Sequence, residues 1–171
     1  MTQLEAVASA FDRAAGDYDR FTDGVIGGVL RSAVHARLRA RCRPGDRILE
    51  INCGTGEDAL FFAQQGCHVV ATDVSAGMLA VARRKVEAAG AADRVEVKRT
   101  AIEAIGAELG TFDGLLSNFG GLNCVTSLAA AMPRLAARVR PGGFAVCSIM
   151  GPASGGGGTR MCRTACSTGS G

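Results

Sequence analysis

The chain has 171 residues, of which 47% are hydrophobic and 20% are charged, and its formal net charge at pH 7 is +3. These values are typical of one globular domain with a buried core, and they do not favour a nucleic-acid-binding protein. No stretch approaches the ~20 apolar residues of a transmembrane helix, and the N-terminus has neither the basic start nor the apolar run of a signal peptide. We therefore expect a cytoplasmic protein of one domain without a membrane span.

The first predicted element of note is an amphipathic helix over residues 25–41. Its apolar residues recur at helical spacing and are expected on its buried face: Val25, Ile26, Val29, Leu30, Ala33, Val34 and Leu38. Arginines run through the same helix and the turn after it, from Arg31 to Arg43. We interpret them as a solvated helix face, because no aromatic residues interleave with them to stack on bases.

From residue 44 to residue 150, short apolar strands alternate with helices. Strands are predicted at 47–51, 67–72, 94–99, 112–117 and 144–150, and helices at 57–65, 75–90 and 127–139, with Pro133 expected to kink or restart the last helix. Such alternation predicts right-handed crossovers and a parallel sheet with helices on both faces. The predicted fold class is therefore α/β, a Rossmann-like doubly wound sheet of five recognisable strands preceded by N-terminal helices.

Residues 151–171 form a tail rich in Gly, Ser and Thr, without Leu, Ile, Val or aromatic residues, and we predict that it is disordered. No CxxC pair occurs in the chain, and no histidine lies near Cys162 and Cys166, so no metal site is predicted. The other five cysteines are interpreted as reduced and mostly buried: Cys42, Cys53, Cys67, Cys124 and Cys147.

The loop after the first strand carries the clearest functional signal. Gly54 and Gly56 lie between a strand and a helix, where glycine lets a ligand approach the backbone closely. Asp73 ends the next strand, at the position where an acid accepts both hydroxyls of a ribose. Together they predict a site for a nucleoside-type cofactor.

Residues 54–59 also satisfy the GxGxxG/A fingerprint of NAD-binding proteins, which makes an NAD-dependent oxidoreductase the alternative. The charges favour a different ligand. A pyrophosphate needs the positive N-terminus of a helix, and here Glu57 and Asp58 occupy the first turn and would repel it. A positive sulfonium and an ammonium fit this acidic loop better, which indicates S-adenosylmethionine.

Five segments together resemble class I S-adenosylmethionine-dependent methyltransferases, in the small-molecule branch that includes quinone-biosynthesis methyltransferases. They are residues 11–19, the motif Glu50-x-Asn52-x-Gly54-x-Gly56, residues 73–79, Phe112-Asp113-Gly114 and Arg140-Pro141-Gly142-Gly143. They follow the family's order and spacing over residues 11–150, with Asn52 in place of the first glycine. The resemblance implies an S-adenosylmethionine-dependent methyltransferase, with residues 1–43 covering the cofactor site and residues 44–150 forming its core.

The same resemblance implies roles for individual residues. The methionine part and the ribose would be surrounded by Glu50, Asn52, Gly54 and Gly56, and Asp73 would hold the ribose hydroxyls. The adenine would lie against Val74, Met78, Ala101 and Ile102. Asn118 would meet the cofactor's amino group through its backbone, and Tyr18 would cover the site. Ordinary core packing is the alternative for Met78 and Tyr18.

Methyl transfer depends mainly on alignment and shielding of the acceptor, and no residue identifies itself as a catalytic base. Residues 117–120 lack the paired prolines of amino-methylating DNA enzymes, so a small-molecule acceptor and no nucleic acid are predicted.

Family members usually continue after the fifth strand with a helix and two antiparallel strands, which residues 151–171 do not resemble. A truncated or frame-altered coding sequence is the favoured explanation. A partner that completes the sheet, or a degenerate cofactor-binding protein without catalysis, are the alternatives. An uncovered strand at 144–150 predicts a homodimer or a larger assembly.

Overall fold

The computed structural model describes residues 2–149 of the chain. Three helices come first: α1 (Gln3–Ala14), α2 (Tyr18–Thr22) and α3 (Val25–Arg39). The strands are β1 (Arg47–Ile51), β2 (His68–Asp73), β3 (Val95–Arg99), β4 (Phe112–Ser117) and β5 (Val139–Cys147). Between them lie α4 (Glu57–Gln64), α5 (Ala76–Ala88) and α6 (Leu128–Ala136), with short 3₁₀ turns at Ile102–Ala104, Ala107–Leu109 and Gly121–Cys124.

All four strand pairings are parallel, and the strand order is β3-β2-β1-β4-β5. The order reverses between β1 and β4, so the carboxyl ends of these two strands flank a crevice. This arrangement confirms the predicted Rossmann-like parallel sheet with N-terminal helices before it.

Two hydrophobic clusters cover the two faces of the sheet. On one face α4, α5 and the second half of α3 pack against the strands, with Val34, Leu38 and Phe62 among the buried side chains. On the other face α6 and the 3₁₀ turns bury Ile102, Leu122 and other residues. The N-terminal helix α3 thus serves as a third helix on the α4–α5 face.

The predicted buried stripe of α3 is wrong in its first half. Val25, Ile26 and Val29 are 87%, 77% and 64% exposed, whereas Val34 and Leu38 are buried. Gly27 is the residue of the first turn that faces α2. No side chain fits there, because a Cβ on Gly27 would lie 2.0 Å from the carbonyl oxygen of Thr22. Close backbone contact with α2 at Gly27 therefore turns the apolar side chains of this turn outward.

The last helix and strand also differ from the sequence expectation. Helix α6 continues through Pro133 as one element, so the predicted restart at the proline does not occur. Strand β5 begins at Val139, earlier than expected, and an irregularity opposite residues 112–114 accommodates the Pro141-Gly142-Gly143 turn. The strand ends at Cys147, earlier than the predicted end at Met150, and Met150 itself and the predicted disordered tail lie outside the described residues.

Among residues 2–149, no helix combines the length and the apolar character that crossing a bilayer requires.

Candidate functional site

A cavity of about 290 Å³ opens at the carboxyl ends of β1, β2 and β4. We call residues 50–58 and 73–78 its floor and helices α1–α3 its cap. The floor contributes Asn52, Gly54, Asp58, Asp73, Val74 and Met78, among others. The cap contributes Val7, Phe11, Tyr18 and Arg31, and residues 118–121 after β4 close the remaining side together with Asn123 and Cys124.

The floor begins with a loop that needs left-handed backbone. Asn52 has φ 55° and Gly56 has φ 83°. Asparagine tolerates this region better than other residues with a side chain, which explains how it can stand in a glycine position. Room for its side chain comes from Gly121, where a Cβ would lie 2.5 Å from the Asn52 Cβ. Gly56 lies against α5, since a Cβ there would be 3.0 Å from that of Ala82.

Asp73 joins the loop to the start of α5. Its two carboxylate oxygens accept hydrogen bonds from the backbone amides of Gly54 at 3.0 Å and Ser75 at 2.9 Å. Burial raises the pKa of Asp73, and these backbone hydrogen bonds oppose the rise. The Asp73 carboxylate lines the cavity, and its hydrogen bonds to the Gly54 and Ser75 amides fix its position.

Glu50 is a buried carboxylate behind the loop, with 2% of the residue exposed. Its Oε2 has no hydrogen-bond partner among the described residues. Burial raises its pKa well above the ordinary value, and the charges of Asp58 and Asp73 raise it further. A carboxylate in this position requires a cationic partner to be stable in its ionised form.

Glu57 and Asp58, the acids at the start of α4, both have side-chain partners. The sequence interpretation had treated them as two unpaired charges that would repel a pyrophosphate. Glu57 accepts from the Lys85 ammonium at 2.5 Å. Asp58 accepts from His35 Nε2 at 2.6 Å and from the side-chain amide of Asn118 at 2.9 Å. Asp73 also lines the cavity, where it is held by backbone amides, and Glu50 is buried behind the loop.

Side-chain contacts attach the cap to the floor. Thr55 donates to Asp19 at 2.5 Å, and Lys85 contacts the other oxygen of Asp19 at 2.6 Å. Asp12 accepts from the Ser75 hydroxyl at 2.6 Å and from the Gly77 amide at 2.8 Å. These hydrogen bonds lower the pKa of Asp12.

Tyr18 packs edge-on against Phe11, with ring centroids 6.2 Å apart. Burial raises the pKa of Tyr18, and the nearby charge of Asp73 adds to the rise. The phenol ring closes the cavity opposite the loop, where a Cβ on Gly54 would come within 3.7 Å of its edge.

The structure brings seven of the predicted site residues to the cavity wall: Tyr18, Asn52, Gly54, Asp73, Val74, Met78 and Asn118. The other four do not line it. Glu50 lies behind the loop, Gly56 packs on α5, Ala101 lies outside the wall, and Ile102 is buried in the cluster under the opposite face.

Sequence reasoning missed Arg31 and Phe119. Arg31 was assigned to a solvated face, but its side chain is only 15% exposed and lines the cavity, stacked over the Phe119 ring at 4.8 Å from the centroid. A signal was present, because Arg31, His35 and Leu38 recur at i, i+4 and i+7 and so share the inward face of α3. Phe119 gave no such signal.

Within the described part of the chain, no cluster of three or more His, Cys, Asp or Glu residues is arranged to hold a metal. Cys42, Cys53, Cys67, Cys124 and Cys147 are free thiols. Burial raises the pKa of Cys67 to about 12 and that of Cys147 to about 11, so these thiols stay protonated near neutral pH.

The strand order, the glycine loop and the acid at the end of β2 define a Rossmann-like α/β domain with a nucleoside-type crevice. Residues 48–143 match the sequence profile of the family described as methyltransferase domain. The chain belongs to this methyltransferase family.

Two curated relatives are bacterial enzymes. A malonyl-[acyl-carrier protein] O-methyltransferase of Enterobacter lignolyticus is 38% identical over 139 residues, which are 81% of this chain and 51% of that protein. A demethylmenaquinone methyltransferase of Symbiobacterium thermophilum is 31% identical over 146 residues, 82% of this chain and 57% of that protein. The chain thus spans about half the length of the curated relatives it matches.

A solved structure shares the fold. The S-adenosylmethionine-dependent methyltransferase of Geobacter sulfurreducens, crystallised with S-adenosyl-L-homocysteine, is 25% identical with a TM-score of 0.59. The alignment covers 68% of this chain and 45% of that one.

Proposed function

We propose that the chain binds S-adenosylmethionine in the cavity and takes part in methyl transfer to a small-molecule acceptor in the cytoplasm. The observation that carries this proposal is Glu50, a buried carboxylate whose Oε2 has no partner among residues 2–149. A cationic ligand is favoured next to such a group, and an anionic pyrophosphate is disfavoured. The names of the curated relatives, both methyltransferases, support the same reaction.

The residues present fit this cofactor. Asp73 still has lone pairs for ribose hydroxyls after accepting two backbone hydrogen bonds, because an ionised carboxylate offers about four acceptor sites. Val74 and Met78 provide apolar surface for the adenine, and the backbone at Gly54 permits close approach. Glu50 and Asn52 would complement the charged methionine end, since each has a buried oxygen without a partner among the described residues. Ala101, Ile102 and Gly56 would act through packing behind these groups.

When bound, the cofactor supplies a methyl carbon that its sulfonium has already activated. The protein's own contribution is then orientation and exclusion of water. Tyr18 and Phe11 close the cavity from the cap, and Phe119 closes it beyond β4. No described side chain is assigned as a general base.

The acceptor is proposed to be a small molecule, free or attached to a carrier, and not a nucleic acid. The relatives' names specify a malonyl group on acyl-carrier protein in one case and demethylmenaquinone in the other. Both are small groups compared with a nucleic acid, and the weak net charge of +3 gives no electrostatic footprint for one.

Isothermal titration with S-adenosylmethionine, S-adenosylhomocysteine and NAD tests the cofactor proposal. We expect binding of the first two and none of NAD. Asp73→Asn should weaken S-adenosylmethionine binding by ~1–3 kcal/mol, the usual contribution of a charge-assisted hydrogen bond. Asp93→Asn, at an exposed position remote from the cavity, is the matched control and should leave affinity unchanged. NAD binding without S-adenosylmethionine binding would overturn the proposal.

A cofactor-binding protein without catalysis is the second candidate. A methyl-transfer assay with radiolabelled cofactor over quinol, phenol, amine and malonyl-thioester acceptors separates the two. Turnover supports the enzyme, and tight cofactor binding without turnover on any of these acceptors supports the second candidate.

We also propose that the chain self-associates through the β5 edge of the sheet. Among the described residues β5 pairs only with β4, and Phe144 to Cys147 are only half-buried. Val146→Lys should weaken association measured by light scattering. Val97→Lys is the matched control, because Val97 is a half-buried residue of β3, at the opposite edge, and packs on the same cluster. Equal effects of both substitutions, or a monomeric wild type, would count against this interface.

A further inference from the structure

The first turn of α3 exposes a contiguous apolar surface, formed by Val25, Ile26 and Val29, which we call the apolar turn. These are the three most exposed of the large hydrophobic residues in the described part of the chain. Val29 lies three residues after Ile26 and four after Val25, so the three side chains share one side of the helix. None of them lines the cavity, so a ligand bound there leaves the apolar turn uncovered.

The exposed side of α3 changes from apolar to basic along its length. Arg37 and Arg39 are exposed residues of its last turn, and the helix contains no acidic residue. Arg41 and Arg43, in the turn after the helix, are exposed as well. None of these four arginines forms an ion pair with a carboxylate of residues 2–149. The unpaired charges of this surface are therefore positive.

The acids that precede the apolar turn are paired with arginines. Asp23 accepts from Arg31 at 3.0 Å, and an Asp17 oxygen lies 3.2 Å from Arg20. These two acids therefore do not offset the positive charge farther along α3.

A protein partner of the same sequence fits this surface poorly. Three aliphatic side chains provide a few hundred Å² of apolar surface, well short of the ~800 Å² per partner that a stable protein interface buries. A two-fold contact across α3 would also place two basic helices against each other. Residues 150–171 contain no Leu, Ile, Val or aromatic residue that could pack on the apolar turn.

We propose that the exposed side of α3 docks on the surface of an anionic lipid bilayer. In such a contact the aliphatic side chains enter the boundary between headgroups and acyl chains, and the arginines lie near lipid phosphates. Ile26 and Arg37 are eleven residues, or about three turns, apart and so lie on one side of the helix, roughly 16 Å from each other along its axis. A helix parallel to the membrane brings both to the surface, while Val34 and Leu38 on its opposite side stay packed on the domain.

Flotation of the full chain with vesicles of phosphatidylcholine, alone or mixed with phosphatidylglycerol, tests the docking. We expect binding to the mixed vesicles that weakens as salt rises, and at least ~10-fold weaker binding to phosphatidylcholine alone. Ile26→Ser should lower the partition coefficient for the mixed vesicles ~10-fold, because an aliphatic side chain no longer enters the bilayer. Leu128→Ser is the matched control, since Leu128 is an exposed residue of α6 on the opposite face of the sheet, and it should leave the partition coefficient unchanged.

Arg37→Gln tests the electrostatic part of the contact. It should lower binding to the mixed vesicles ~5-fold and reduce its dependence on salt. Arg134→Gln makes the same charge change at an exposed position of α6 and should do neither.

Two results would overturn the proposal: no binding of the wild type to either kind of vesicle, or equal losses for Ile26→Ser and Leu128→Ser. Light scattering adds a third, because a wild-type oligomer that Ile26→Ser dissociates would assign the apolar turn to a second copy of the chain. Far-ultraviolet circular dichroism checks that Ile26→Ser is folded, and Val29→Ser replaces it in all of these measurements if it is not.

Discussion

The floor and the cap of the cavity are held by different kinds of contact. In the floor, Asp73 accepts two backbone amides, and the amide of Cys53 bonds to the Thr72 carbonyl at 3.0 Å. In the cap, side chains make the attachments, such as Asp19 on Thr55 and Asp12 on Ser75. The floor is thus fixed largely through backbone amides and carbonyls, with Asp73 as their side-chain partner, whereas the cap depends on pairs of side chains.

The two regions therefore have different tolerances. A floor built on left-handed backbone and close helix contact should respond to changes of shape. A cap attached through exposed or half-buried carboxylates, which accept from hydroxyls and from Lys85, should respond to changes of charge, and by smaller amounts. Substitutions in each region can break or sharpen this contrast.

The largest expected effect is that of Gly56→Ala in the floor. Alanine at φ 83° costs ~1–2 kcal/mol, and its Cβ would lie 3.0 Å from that of Ala82, where overpacking adds ~1–3 kcal/mol. Gly45→Ala is the matched control, because Gly45 has φ 89° and open space around it. Urea denaturation should show a clearly larger loss for Gly56→Ala than for Gly45→Ala. Equal losses would mean that the contact with α5 contributes nothing.

Glu50→Gln is expected to separate stability from binding within the floor. The folded-state pKa of Glu50 is raised above its ordinary value of 4.5, so the folded protein holds a proton that the unfolded chain releases. The free energy of unfolding of the ligand-free protein should therefore fall as pH rises above about 4.5. In the variant this fall should be smaller, because the position no longer titrates.

Glu50→Gln should lower the affinity for the cofactor, although it reduces the loss of stability at higher pH. Loss of the carboxylate should weaken S-adenosylmethionine binding ~10-fold or more, as for a lost charge-assisted interaction. Glu87→Gln, at an exposed position of α5, is the control for both measurements and should change neither. A Glu50→Gln protein with unchanged stability–pH profile and unchanged affinity would contradict the role assigned to the buried carboxylate.

The contrast also explains what the sequence could predict. Strand β4 and helix α5 lie where periodicity and the Ser75 cap placed them, and the parallel sheet is confirmed. Gly54 and Asp73 were identifiable as site residues because local spacing alone brings a glycine loop and the next strand's end to one edge of a parallel sheet. A sequence pattern can therefore identify site residues whose position follows from the backbone of a parallel sheet.

Phe119, and its contact with Arg31, lay beyond such reasoning because the two positions are far apart in the chain. Helical spacing places Arg31 on the inward face of α3, but only the structure shows the ring on which it stacks. The acids at the start of α4 were misinterpreted for the same reason. Lys85 pairs with Glu57 and His35 hydrogen-bonds to Asp58, each from another helix, and nothing adjacent in sequence indicates either partner.

The smallest expected effect is in the cap, where Asp19→Asn removes the charge that Lys85 contacts and one of the two oxygens that accept from Thr55 and Lys85. Because the pair is partly exposed, we expect a loss of only about 1 kcal/mol in the free energy of unfolding. Cofactor dissociation measured by stopped-flow fluorescence should become faster, since the cap is less firmly attached to the floor. Complete loss of cofactor binding would contradict this, because it would mean that Asp19 is required for the shape of the binding site and not only for attachment of the cap.

The loss of stability in Asp19→Asn should depend on pH in a way that identifies the ionised carboxylate as its cause. Burial acts to raise the pKa of Asp19, but hydrogen bonds from Lys85 and Thr55 outweigh it and the pKa is lowered. A lowered folded-state pKa stabilises the protein above the ordinary value of 3.8, and this contribution is lost as pH falls through the folded pKa. Asp19→Asn should therefore differ from the wild type in the free energy of unfolding at neutral pH and converge with it in acid.

Asp17→Asn is the control for this measurement. It removes an exposed ion pair, in which the Asp17 and Arg20 side chains are 69% and 86% exposed, and it should match the wild type at every pH. A difference between Asp19→Asn and the wild type that persisted unchanged in acid would show that the ionised carboxylate is not what attaches the cap.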